Sequence, residues 1–396
     1  LLQRQRTPDP AEALATIPTL SPADIQTDVP DRTPRIETKN GVTVLYHDTV
    51  KTDGILYLGL IFDASDVRAE DIPTLSLLSE FIGELGTAKT DARTLQRVIR
   101  SELGRFDVSL RILSVPTDST HAARLQIHVN AAVLETNVSR AVSILSEVLN
   151  LTDFTGADRI LEMLQQDKSD MEQQYIMRGN AMASNRRRAY QTTCGYCDDL
   201  ASGYGFYTRL SELVADFEGH FPALSKDLER LSRTYFHAGR LTVSVAGKLP
   251  DEDLFALFSA LPGTPVAQTY ATFEPLGIRC EGIRIPAGIA FSSTGANLLQ
   301  QGLTFSGHWA VAAQLTELTY LWNKVRVQGG AYGAGFGARP SGQLFAYSYR
   351  DPNPTRTLDV FNGLADALND FCDSGEDVER YILSTVSSTE PLKTPK

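Results

Sequence analysis

Between residues 329 and 335 the chain carries four glycines in seven positions, and no other stretch restricts the surrounding fold as much. Ahead of it, Val311, Leu315, Leu318, Trp322 and Val325 recur at i, i+4, i+7, i+11 and i+14, the apolar stripe of an amphipathic helix. Gly329 and Gly330 can both take positive φ without steric cost, so the helix is expected to end on them. Residues 331–338 and 343–350 then read as two strands turning at 339–342. Asn353 is placed to cap a further helix with Pro354 at its first position. Ala331, Gly333, Ala334, Gly335 and Gly337 leave the first strand almost bare, so another backbone can approach it closely. Arg326 and Tyr332, six residues apart, flank this strip.

The same residues carry a family resemblance. The run VRVQGGAYGAGF, followed by YSYRDPNPTRTLDVFNGLADAL, resembles the carboxyl-terminal half of the presequence-protease branch of the pitrilysin-type zinc metallopeptidases. In that branch an R-x-x-G-G-A-Y-G stretch precedes an SYRDPN-like strand end, and RVQGGAYG matches it here. Weaker similarity runs over most of the chain, from the Pro-rich start through NGVTVLYHDTVKTDGILYLGLIFD to the end. The resemblance implies an α+β chain of two related domains of the pitrilysin/processing-peptidase type, each a mostly antiparallel sheet with helices packed on it.

Length and charge agree with a large globular chain. At about 150 residues per domain, 396 residues make two or three domains. The sequence begins at Leu1 with no charged start ahead of an apolar core, and is expected to be a fragment or a processed piece. No apolar run reaches the ~18 residues of a membrane span, so a soluble chain is expected; the resemblance implies an intracellular setting, in a bacterial cytoplasm or an organelle matrix or stroma. A formal net charge of −11 opposes binding to nucleic acid phosphate and suits cationic partners.

Residues 1–34 hold Pro8, Pro10, Pro18, Pro22, Pro30 and Pro34, a spacing that forbids a long helix and fits an extended linker. By resemblance this is the end of the connector between two protease halves. From Gly41 the pattern is that of a folded domain. Strands are expected at 42–47, 55–62, 106–115 and 122–129, and helices at 74–84 and 94–103. A following helix carries Leu134, Val138, Ala141, Val142, Leu145 and Val148 on one stripe. The order helix, turn, two strands, helix recurs across residues 309–371, which reads as an internal repeat of a domain-sized unit. Between the two units, residues 159–177, 210–221 and 224–235 are expected as helices, the last two parted at Pro222, with a strand at 240–247 and a helix at 252–261. The Arg186-Arg187-Arg188 run points around a helix and is expected on a solvated face or paired with local carboxylates. Residues 35–265 form the expected third peptidase-like domain of the family, 266–277 an inter-domain loop, and 278–396 the fourth domain, expected to be truncated before its last helices.

Metal and nucleophile chemistry find little support in the side chains. Cys194-Gly-Tyr-Cys197 has the spacing of a zinc knuckle or a redox pair, but no second C-x-x-C or H-x-x-x-H supplies further ligands, so two reduced thiols are expected. The six histidines are scattered, with no H-x-x-E-H or H-E-x-x-H. His121 and His128 stand seven residues apart in an expected strand and so face opposite ways. There is no G-x-S-x-G, and GGAYGAG lacks the Lys-Ser/Thr end of a phosphate loop. By resemblance, zinc belongs to the amino-terminal catalytic half of the full-length protein, and this chain binds none.

The resemblance implies roles for the glycine stretch. When water attacks a peptide carbonyl, negative charge grows on its oxygen, and a guanidinium and a phenol aimed there can donate to it. The motif places Arg326 and Tyr332 in that role, opposite the zinc half, with Gly329, Gly330 and Ala331 as backbone that meets the substrate. The alternative is an Arg paired with a surface carboxylate and a Tyr packed at a strand end. Two readings of function remain open. One is the non-catalytic half of a zinc metalloendopeptidase that degrades short unstructured peptides such as targeting peptides, inactive alone, with the amino-terminal half and peptides as partners. The other is a catalytically silent structural or chaperone-like relative.

Overall fold

The computed structural model of the protein describes residues 9–25, 28 and 31–389. Of the expected linker, residues 1–8, 26–27 and 29–30 lie outside the described residues, and so do the terminal residues 390–396. What is described of the linker holds a helical turn at Ala11–Leu14 and a shorter one at Pro22–Asp24.

Alternating apolar residues build the first half. Its elements are β1 (Arg35–Lys39), β2 (Val42–Tyr46), β3 (Ile55–Asp63), α1 (Ile72–Phe81), α2 (Ala92–Glu102), β4 (Arg105–Ser114), β5 (Ala123–Leu134) and α3 (Val138–Leu151). In β3 every second residue, Leu56, Leu58, Leu60 and Phe62, turns into the core, and each contributes about 2 kcal/mol by burial. Leu58 faces Ala131 of β5, and Leu60 faces Val129. α1 is buried on nearly all sides, as a helix rich in Leu and short of charge must be. On α3 the expected stripe of Val138, Ala141, Val142, Leu145 and Val148 is buried. Leu134 is not part of it. β5 runs five residues past the expected end at Val129, so Leu134 pairs with Ile55 in the sheet and is exposed.

Next come α4 (Ala157–Met177), α5 (Gly179–Ala189), α6 (Thr193–Ser202), α7 (Tyr204–Ala215), α8 (Phe217–Tyr235), β6 (Leu241–Ala246) and α9 (Asp251–Ala260). The break expected at Pro222 falls instead at Asp216, whose carboxylate accepts from Gly219 N at 3.3 Å. Pro222 sits inside α8, because the cap at Asp216 starts the helix and proline costs it one backbone bond near that start. β6 slots between β2 and β3, parallel to the first and antiparallel to the second, giving the order β1-β2-β6-β3-β5-β4.

An extended connection then runs from Pro262 to Ile289, beyond the expected loop end at Gly277. Ala123 and Ala271 exchange backbone bonds of 2.9 Å, Leu276 N donates to Ala189 O at 2.9 Å, and Thr193 Oγ1 donates to Phe273 O at 2.7 Å. The second sheet lies beyond it: β7 (Ala290–Asn297), α10 (Gly307–Thr316), a π-helix at Glu317–Val327, β8 (Gly333–Ala338) and β9 (Gln343–Asp351), then α11 (Pro354–Asn362), α12 (Leu364–Ser374) and α13 (Glu379–Thr389). Its order is β7-β9-β8, all antiparallel. The whole is an α+β fold of two mostly antiparallel sheets with helices packed on them.

The arginine run ties α5 to α6 and to the extended connection. Arg186 binds Asp199 at 2.6 Å and Glu281 at 2.7 Å, while Arg188 pairs with Asp198. Arg187 corrects the expectation of a solvated or paired face. It is buried and has no carboxylate among the described residues; it donates to Gln191 Oε1 at 2.8 Å and to Ser293 Oγ at 3.2 Å. Burial pushes its guanidinium down to about 10. Hydrogen bonds from Arg186 hold the Glu281 carboxyl down to about 2, with Tyr190 also donating to it. An acid depressed on folding stabilises the fold above its unfolded value near 4.5, and that stability fades as pH falls toward 2. Glu281→Gln should therefore cost about 1 kcal/mol at pH 7. In thermal melts the gap between variant and parent should narrow as pH falls from 4.5 toward 2; a gap independent of pH would remove the ion pair from the account.

Candidate functional site

A widened helix leads into the site. α10 passes into the π-helix, where Gln328 N donates to Asn323 O at 2.9 Å, a step of five residues. The wider turn changes which side chains face inward. Thr316, Leu321 and Val325 are buried, whereas Leu318 and Trp322 of the expected stripe are 47% and 46% exposed. A 3.6-residue period does not survive the change in pitch, so those two positions are corrected from core to surface.

The two glycines after it do different work. Gly330 has φ of +80° and ends the helix in the expected way. Gly329 does not adopt positive φ, contrary to expectation; its need is space, since a Cβ there would lie 2.4 Å from Val325 O. The chain doubles back so that Gly330 N donates to Arg326 O at 3.0 Å and Ala331 N to Val325 O at 3.1 Å. Ala331 is buried with Leu321, Val325, Ala346, Phe361 and Leu364.

Arg326, Gly329, Gly330, Ala331 and Tyr332 thus share one turn, and the Arg and Tyr side chains both leave it exposed. The Arg326 guanidinium lies 4.1 Å from the centre of the Trp322 ring. No carboxylate pairs with it among the described residues, which goes against the surface ion-pair alternative. Tyr332 is 68% exposed, its N–H donates to Tyr349 O at 3.0 Å, and its ring meets the Tyr349 ring edge-on at 6.4 Å. The main chain is therefore held while most of the side chain stays exposed.

The end of β9 folds back onto this turn. Asn353 occupies the cap position of α11, but its side chain does not cap; its Nδ2 donates to Gly329 O at 3.0 Å. The buried Asp351 accepts from Asn353 N at 2.8 Å, and Arg356 donates to Gln328 O at 3.2 Å. Arg350, one residue earlier, has φ of +49°, a conformation that costs an L-residue about 1 kcal/mol. Trp322 and Asn353 are contributors that the motif pointed past. The W-x-x-x-R spacing carries the first, and nothing local in the sequence distinguishes the second from an ordinary cap.

The bare strand is not bare in space. A Cβ at Gly335 would lie 2.7 Å from the Tyr347 ring, and one at Gly337 would lie 2.6 Å from the Phe345 ring. Aromatic rings of the hairpin partner, rather than another backbone, use the room the glycines leave. Elsewhere, His128 sits by Gln126 in β5, while His121 lies before that strand and binds Asp118. Among the described residues no group of three or more His, Cys, Asp or Glu side chains is placed to hold a metal. Cys194 and Cys197 lie buried on α6, unbonded to each other. Burial pushes their thiols up to about 11 and about 12. Alkylation of the native chain at pH 7.5, read by peptide mass spectrometry, should modify the exposed Cys280 and Cys372 and spare these two. Equal labelling of all four would show that α6 opens.

The fold recurs in solved structures. A conserved protein from Enterococcus faecalis matches with a TM-score of 0.64 at 14% identity, over 89% of this chain and 84% of that one. A peptidase M16 inactive domain from Pseudomonas fluorescens matches with a TM-score of 0.53 at 16% identity, over 89% of this chain and 86% of that one. By sequence the chain belongs to the family described as associated with subfamily C of the M16 peptidases, whose model matches residues 1–213. Residues 280–396 match a second model, the PreP C-terminal domain. Among curated relatives, the protein HypA of Clostridium perfringens is 28% identical over 98% of this chain and 40% of its own length. Presequence protease 1, chloroplastic/mitochondrial, of Arabidopsis thaliana is 26% identical over 99% of this chain and 37% of its own length. The chain therefore spans about two fifths of these relatives. No helix among the described residues is long and apolar enough to cross a membrane.

Proposed function

We propose that this chain is the non-catalytic half of a zinc metalloendopeptidase acting on short unstructured peptides, such as targeting peptides, and that Arg326 and Tyr332 donate hydrogen bonds to the substrate carbonyl undergoing attack. One observation carries the reading. Both side chains leave a single turn exposed, Arg326 resting on Trp322 and Tyr332 anchored through its backbone to Tyr349. Donors already in place when charge develops lower the barrier more than donors that must first reorganise. The resemblance of RVQGGAYG to the presequence-protease stretch, and the curated relatives that bear that name, support the same role.

Zinc is assigned to the other half of the enzyme. Among the described residues of this chain no three His, Cys, Asp or Glu side chains are placed to hold a metal. What this chain supplies is the wall facing the scissile bond. A cation stacked on an indole keeps its charge while losing mobility, and the planar guanidinium offers paired donors that an ammonium cannot.

Alone, the chain should hold no stoichiometric zinc after brief chelator treatment and should hydrolyse no fluorogenic peptide; chelator-sensitive turnover would contradict the assignment. Joined to a zinc-binding half, Tyr332→Phe should lower kcat about 10²-fold with little change in KM. Arg326→Lys should also be poor. Near-parental kcat in Tyr332→Phe with an unchanged Tm would return Tyr332 to a packing role and favour a silent, structural relative.

A further inference from the structure

Burying a guanidinium without an anion is costly, because the charge loses its water and meets nothing of opposite sign. Arg187 of α5 is 7% exposed and pairs with no carboxylate among the described residues. Of the five N–H donors of a guanidinium, it places one on Gln191 Oε1 and one on Ser293 Oγ, both neutral. Arg188 and Arg339 stand near enough to oppose its charge, and the Phe345 ring lies 5.6 Å from it. The second sheet makes room for this arrangement: a Cβ at Gly295 of β7 would lie 2.9 Å from Arg187 Nη1.

Arg187 lines a cavity of about 620 Å³ between α5, the extended connection and β7. That volume is ordinary for a small-molecule site. Much of the wall is apolar: Met182 of α5, Ile278, Ile283, Ile285 and Ile289 of the connection, and Phe291 of β7. Ile278 is 86% exposed and Ile283 38%, apolar surface that a ligand would cover. Tyr175, near the end of α4, lines the cavity as well; it is 7% exposed, and its hydroxyl has no hydrogen-bond partner among the described residues. One cavity thus holds a cation without an anion and a phenol without a partner, both side chains more than nine-tenths buried. The other charged groups on the wall are Arg186, Arg279 and Glu281, and Glu281 is already engaged by Arg186 and Tyr190. The wall as a whole is cationic.

The structure assigns this cavity to a small carboxylate that carries an aliphatic chain. The carboxylate pairs with the remaining donors of Arg187, a charge-assisted contact of the strong kind. The chain lies against Met182, Phe291 and the four isoleucines, and takes Ile278 and Ile283 out of water. Two kinds of molecule share that chemistry, a fatty acid and the free carboxyl end of a short aliphatic peptide. Only the second brings an amide carbonyl that can accept from the Tyr175 hydroxyl.

The test is isothermal titration calorimetry on the 396-residue chain, with octanoate and N-acetyl-Leu-Leu as the acids and octanol and N-acetyl-Leu-Leu amide as their uncharged counterparts. At least one acid should bind saturably below about 1 mM, and its counterpart about 10-fold more weakly. Arg187→Met removes a buried charge at similar side-chain length, so it should keep the fold and bind that acid about 10-fold more weakly. Tyr175→Phe separates the two sources. Dipeptide binding weakened about 3-fold in that variant, with octanoate unaffected, identifies a peptide end, whereas acid binding that the variant leaves unchanged identifies a fatty acid. An acid and its counterpart binding alike, no saturable binding of either acid up to about 1 mM, or undiminished binding in Arg187→Met overturns the inference. Should Arg187→Met fail to fold, the comparison of each acid with its counterpart decides alone.

Discussion

Everything distinctive about the second sheet depends on one crossing of backbone at Gly329. The carbonyl of Val325 must come close enough to accept from Ala331 N at 3.1 Å, and only a residue without Cβ leaves it the room. That crossing fixes the end of the π-helix against the start of β8. From it come the burial of Ala331, the seat of Asn353 on Gly329 O, and the direction in which Arg326 and Tyr332 leave the turn. A larger residue at position 329 would separate the helix from the hairpin before it disturbed any exposed side chain.

Much of this is legible from residue patterns, and the misses have physical causes. β3, β5, β6, the 339–342 turn and the α3 stripe obey alternation, turn chemistry and a 3.6-residue period, each a local rule. Trp322 reads as core only while the period assumes an α-helix; the backbone takes wider turns there, and only tertiary packing of Leu321 and Val325 reveals the difference. β7 gives no strand signal, since AFSSTGAN owes its conformation to β9 and α5 rather than to its own side chains. Arg187 defeats a local reading for the same reason: its environment is assembled by Ser293 and Phe345, more than a hundred positions away. At the site, the motif places all five residues in one turn, while the stack on Trp322 and the link from Asn353 depend on distances that no spacing rule contains.

The extended connection shows how a long segment without helix or strand can still be part of a fold. Its backbone groups are taken up by Ala123, Ala189 and Thr193, and its Glu281 closes on Arg186 and Tyr190. The connection is thus fastened along α5 and α6 rather than left as a tether. α5 and the turn after it are the surface on which the second sheet is mounted, through Ser184, Arg187 and Gln191.

The place of β6 between β2 and β3 sets a condition on synthesis. When β3 has left the ribosome, neither of its neighbours in the sheet has been made: β5 follows after α2 and β4, and β6 only after α8. At roughly 5–20 residues per second the gap lasts about 10–40 s. Until β6 is made, the slot it fills between β2 and β3, beside Val44, Leu58 and Leu60, has no native occupant. The six-stranded sheet cannot be completed by a hairpin folding on itself. Its closure waits for Val243 and Val245, which makes holding that slot open, and keeping other strands out of it, the demand this topology places on the cell that makes the protein.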